Sequence, residues 1–195
     1  MKRYCLYLFI LIGISCSAEL KAQKNGTIYK GNDPAVRYTG RTLVSPDGSV
    51  AFDWVGTYLE TRFTGGKLSV KVSETGTSYY NVFVDGKLHK VVKVCGTDTL
   101  IHLVSGIDKR IHSLKIQKRS EGEFGKTTVH QFVLSGSGRL AEEPAVRTRH
   151  IEFIGNSLTC GYGTDGKHRD EPFLVETENC NLTFASMVAR YYDAD

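Results

Sequence analysis

Residues 36–134 alternate apolar and polar side chains with period two, and Gly, Asp or Asn breaks the alternation at short intervals. Period two is the repeat of a strand with one face buried, and the breaks are turn chemistry. The pattern predicts strands over 50–54, 58–63, 68–72, 79–84, 88–94, 100–104, 113–118 and 129–134. The second and third are joined across Thr64, Gly65 and Gly66. Asp85-Gly86 is the strongest hairpin signal, because both residues accept the positive φ of a two-residue turn. No helical period of useful length interrupts the region. Eight or nine short antiparallel strands predict a mainly β fold, a β-sandwich of jelly-roll type over residues 24–140.

Ahead of this region, residues 1–23 open with Lys2 and Arg3. An apolar run from Leu6 to Ile14 and then small residues follow, which is the layout of a secretory signal. The run is too short for a stable membrane span. Cleavage after Ala22 and a secreted or periplasmic protein are expected, with a lipoprotein anchored through Cys16 as the alternative. Without residues 1–23 the chain has a surplus of only two positive charges. That balance argues against a nucleic-acid partner. The remaining cysteines, Cys95, Cys160 and Cys180, have no spacing of a metal cage, and no metal is expected. Cys160 and Cys180 are read either as a disulfide or as two thiols, and Cys95 as a small core residue.

Residues 141–149 read as a linker, after which the pattern changes. An apolar strand over 150–154 leads into a polar, Gly-rich loop. A helix is expected over 181–192, with Asn181 as N-cap and Leu182, Ala185, Val188 and Tyr192 on one face. This is the first β-loop-α unit of an α/β domain of flavodoxin-like order over 150–195. One strand and one helix bury too little apolar surface to offset their chain entropy, so the chain is expected to be a fragment of a longer protein.

The strand ends on Gly155-Asn156-Ser157, inside IEFIGNSLTCGYG. At the carboxyl end of a strand in an α/β domain the loops diverge and following backbone N–H groups face the opening. A serine there exposes its hydroxyl and offers its own N–H to a developing oxyanion. The absence of glycine at Thr159 excludes the GxSxG elbow. Local letters alone leave a plain turn as an equal reading.

The block resembles the first conserved block of SGNH (GDSL-type) hydrolases, and its position behind a jelly roll resembles carbohydrate esterase family 2. Gly40-Arg41, Trp54-Val55-Gly56, Val84-Asp85-Gly86, LKIQKRSEGE, and Glu178 with FASMVARYYDAD carry the same resemblance in order. Asn156 departs from it, since the superfamily usually has Asp there. The resemblance implies a serine esterase that removes O-acetyl groups from a polysaccharide through an acyl intermediate, without cofactor. Ser157 is then the nucleophile and one oxyanion donor. The histidine base and other oxyanion donors would lie beyond residue 195, leaving this chain inactive alone. A noncatalytic carbohydrate-binding sandwich is the rival reading.

Other candidates carry less. Asp165 to His168 spells DxxH, but it lies too close to Ser157 in sequence to be the family's base. His89, His102, His112 and His130 read as solvent-facing or hydrogen-bonded strand residues. Trp54 shares parity with Val50 and Phe52 and is expected in the core, and one of Tyr79 and Tyr80 should face outward. Tyr162 is a candidate lining residue for the substrate cleft. Glu176 and Glu178 resemble a glycosidase pair only superficially and are expected as acids near a helix start.

Overall fold

The structure, a computed structural model, describes residues 26–142 and 144–195. The signal-sequence reading and Cys16 lie outside the described residues. Seven strands form one hydrogen-bonded sheet that folds over on itself: β1 (Thr27–Lys30), β2 (Val36–Thr39), β3 (Leu43–Val44), β4 (Val50–Phe52), β5 (Tyr58–Val84), β6 (Lys87–Lys118) and β7 (Thr127–Ser135). The order is β2-β5-β7-β4-β3, with β1 added to β7 and β6 to β5. All the named pairings are antiparallel.

Several expected strands prove to be segments of two long, bent ribbons. The run 58–63, 68–72 and 79–84 is one strand, β5, and the run 88–94, 100–104 and 113–118 is β6. Register shifts near Gly66 and between Glu74 and Thr77 mark the bends. Gly66 adopts φ +105°, which a side chain would resist. Bulges of this kind let a strand leave one layer and enter the other, so hydrogen bonding continues where the sequence shows turn residues. The last part of β5 is held on both sides by β6: Val82 pairs with Lys90 and with Ile116. Phe63, Leu68, Val82, Leu103, Leu114, Phe132 and Leu134 fill the core.

The predicted Asp85-Gly86 turn is present, with φ of 50° and 74°. It is tied to the neighbouring hairpin through buried His112, whose Nδ1 is 2.8 Å from Asp85 Oδ2 and whose Nε2 is 3.0 Å from Asp108 Oδ1. The His112 hydrogen bond, and next the Ser113 N–H, hold the Asp85 carboxyl below its ordinary range. A carboxyl depressed in the folded state stabilises above its unfolded value of about 4, and that contribution fades as pH falls through the folded value. Asp85→Asn keeps a residue tolerant of positive φ. It is expected to lower stability by about 1 kcal/mol at pH 7, after discounting for the exposure of the carboxylate. Thermal melts should show the gap to wild type closing below about pH 4.

Two expected core residues lie outside the core. Trp54 is 57% exposed. β4 ends at Phe52, so strand parity does not extend to position 54, and the ring instead carries the Arg41 guanidinium 5.1 Å from its centroid. Cys95 is exposed because it sits beside the turn at Gly96, which has φ +77°. Tyr79 and Tyr80 divide as expected: Tyr80 is buried at 3%, while the Tyr79 hydroxyl donates to Glu176 Oε2 at 3.2 Å.

Candidate active site

Residues 150–195 lie against one face of the sandwich, and that face is unusually polar. Asn81, Gln117, Lys118, Arg119 and Ser120 are all buried at the tail of β6 and alongside it. Arg119 is the centre of the seam. Its Nε donates to the Glu178 carbonyl at 3.0 Å, one terminal nitrogen donates to the Glu176 carbonyl at 3.1 Å and pairs with Asp165, and the other donates to Asn81 Oδ1 at 3.4 Å. Asn81 in turn donates to Asn179 Oδ1 at 3.0 Å, and Asn179 donates to Asp165 Oδ2 at 2.9 Å. The network is closed, so the Arg119 charge and the Asn81 and Asn179 amides satisfy one another.

The serine corner is built on this seam. Ser157–Cys160 form one helical turn, α1. Asn156 is its N-cap, and its Oδ1 accepts from the Leu158 N–H at 3.1 Å. Asp would supply the same acceptor, so the Asn156 departure leaves the corner's geometry intact. Ser157 is exposed, and among the described residues neither its N–H nor its Oγ is engaged in a hydrogen bond. The corner therefore presents an unencumbered hydroxyl with an adjacent free N–H.

Gly161 ends the turn at φ +90°, donating its N–H to the Ser157 carbonyl at 2.9 Å. A Cβ there would stand 2.6 Å from Asn179 C and O. Gly161→Ala is expected to cost about 2–3 kcal/mol in thermal or urea unfolding, since both the left-handed backbone and the backbone clash oppose it.

The strand expected over 150–154 is reduced to one parallel bridge, Arg149 with Ala194, closed by Ile151 N–H to the Asp195 carbonyl at 2.8 Å and Asp195 N–H to the Arg149 carbonyl at 2.9 Å. A lone bridge with Ile154 at 92% exposure has too few neighbours to hold a strand. The helix expected over 181–192 is split. A 3-10 turn, Cys180–Leu182, is capped by Asn179, and α2 runs from Phe184 to Tyr191 behind Thr183. Asn181 is thus not the N-cap: the side-chain oxygen of Asn179 takes the Asn181 N–H at 3.2 Å. Of the predicted apolar face only Ala185 is buried.

Tyr162 is exposed and stacks on Phe173, with ring centroids 4.0 Å apart and 15° between planes. Its hydroxyl donates to Glu123 Oε1 at 3.4 Å. His168 is exposed. Cys160 and Cys180 are separate thiols. Glu176 and Glu178 are not paired carboxylates. Glu176 receives the Tyr79 hydroxyl, whereas Glu178 is fully buried, not an acid displayed at a helix start. Burial, with the Glu121 charge adding, pushes the Glu178 carboxyl up to about 7. Burial likewise pushes the Cys160 thiol up to about 12. Sequence spacing gave no sign that Glu121, Cys160 and Glu178 meet, yet their ligand atoms all lie within 4.8 Å of one another.

The fold and site define a mainly β protein whose sandwich holds an exposed serine turn on a polar, buried seam. Within that class, the family described as "Carbohydrate esterase 2 N-terminal" matches residues 38–144, and the chain belongs to it. The cellulase/esterase CelE of Acetivibrio thermocellus is 32% identical over 163 residues, 84% of this chain and 20% of that protein. An acetylxylan esterase / glucomannan deacetylase of Cellvibrio japonicus is 29% identical over 164 residues, 84% of this chain and 45% of that protein. A family two carbohydrate esterase from Clostridium thermocellum, solved in complex with cellohexaose, superposes with TM-score 0.78 at 32% identity, over 82% of this chain and 49% of that one. One from Cellvibrio japonicus gives TM-score 0.80 at 25% identity, over 88% and 51%. The chain thus spans about half the length of these solved relatives, and less of the curated ones.

Proposed function

We propose that the chain supplies the sandwich and the nucleophile of an exported serine esterase that removes O-acetyl groups from a polysaccharide. The observation that carries this reading is the state of Ser157: exposed, on an N-capped turn, with hydroxyl and N–H both free, in a chain of the carbohydrate esterase 2 family. In the proposed reaction Ser157 Oγ attacks the acetyl carbonyl and gives its proton to a histidine base. Its N–H helps hold the oxyanion, and water then releases acetate from the acyl-serine. Tyr162, stacked on Phe173, lines the sugar side of the cleft as a flat apolar wall.

Among the described residues no histidine is hydrogen-bonded to Ser157, so these residues expressed alone are expected to be inactive. The test is acetate release from acetylated xylan by the full-length gene product. Release that depends on Ser157 supports the reading. Tight glycan binding without release supports a binding module instead.

A further inference from the structure

Glu121 follows the tail of β6, Cys160 closes the turn that begins at Ser157, and Glu178 precedes the Asn179 cap. Their ligand atoms meet within 4.8 Å at the seam between sandwich and serine corner. Glu178 is 0% exposed, and its Oε1 is buried with no hydrogen-bond partner. Its other oxygen receives only the long Glu121 N–H contact at 3.4 Å. Among the described residues neither Glu121 nor Glu178 is ion-paired; the nearby Lys118 ammonium donates to Ser78 Oγ at 2.6 Å, and the Arg119 guanidinium pairs with Asp165. Two carboxylates facing each other, one carrying an orphan buried oxygen, call for a positive charge between them.

We propose that Glu121, Cys160 and Glu178 form a site for a borderline divalent metal ion of the zinc type. Two carboxylate oxygens and one sulfur suit such an ion, whereas calcium or magnesium would not select the thiol. Tetrahedral zinc holds O and S donors about 3.5 Å apart, so the trio closes with about an ångström of side-chain movement. Glu121 and Cys160 are only half-buried, which leaves a way in and a fourth position for water. The ion's charge offsets the mutual repulsion of the ionised ligands. Its place defines its role: it ties the Ser157 turn to the sandwich, a clamp and not a participant in acyl transfer. The proposal stands apart from the esterase reading, because its test does not use activity.

The full chain, stripped with chelator, is titrated with Co²⁺. One equivalent per chain with a near-ultraviolet thiolate-to-cobalt absorption band is expected. Zn²⁺ should displace the band and raise the melting temperature with the logarithm of its concentration. Cys160→Ser should abolish the band, Glu178→Gln should weaken Zn²⁺ binding at least tenfold, and Cys95→Ser should change neither. No band with no thermal shift overturns the site, leaving the two glutamates sharing a proton. A band lost in Cys95→Ser but kept in Cys160→Ser also overturns it.

Discussion

Ser157→Ala in the full-length gene product is expected to lower kcat/KM for acetylated xylan and for p-nitrophenyl acetate by about three to six orders of magnitude. That range is the cost of removing a serine nucleophile from a cooperating constellation, about 4–8 kcal/mol of barrier. The loss should fall on kcat, because the hydroxyl bonds to the acyl carbon only as the reaction proceeds. Melting temperature should stay within a degree or so. Ser157 is exposed and makes no side-chain hydrogen bond among the described residues, and alanine is a good helix former. Asn156→Asp should leave both quantities near wild type, since the cap accepts one N–H and either side chain does that. A Ser157→Ala enzyme with undiminished acetate release would remove Ser157 from the chemistry.

The β character of the chain was legible because alternation reports burial directly. The Asp85-Gly86 turn was legible because its backbone angles need those residues. Strand count was not. Gly65-Gly66 reads as a turn, yet it is a bend within β5, a distinction made by hydrogen bonds to β6 and β7 far along the chain. The run Gln117-Lys118-Arg119-Ser120 carries no apolar signal, yet all four residues are buried. Their cover is residues 165–180, a polar loop whose own sequence shows no sheet or helix period. A seam held by a guanidinium and amides leaves no apolar pattern to detect. Trp54 failed for the opposite reason: parity was extended past the point where β4 ends. Ser157 was legible as a corner from Gly155-Asn156, but its freedom from hydrogen bonding is a fact of three dimensions.

Arg119→Ala is expected to lower the stability of the protein by about 3–5 kcal/mol, the range for removing one partner of a buried charge network. The side chain is 3% exposed, and its loss leaves the Glu176 and Glu178 carbonyls and the Asn81 amide oxygen without their donor. Asp165 would lose its ion pair, but its carboxylate is a third exposed and can turn to water, so it adds little. Each kcal/mol moves the melting temperature of a chain this size by about 2–4 °C, so a fall of about 6–20 °C should appear in calorimetry. Arg119→Lys should recover only part of it, because one ammonium cannot reach both carbonyls, Asp165 and Asn81 in the planar fork that guanidinium provides. The damage should be local before it is global. Limited proteolysis should cut the 163–174 loop in Arg119→Ala under conditions that leave the sandwich whole, since only the seam has lost its anchor. In the full-length gene product the same variant should lose turnover well below its melting temperature, because α1 hangs on Asn179 through the 3.0 Å bond from its N–H to the Gly161 carbonyl. A melting temperature within about 2 °C of wild type would mean that the apolar core alone holds the serine corner in place, and that the buried guanidinium contributes nothing net.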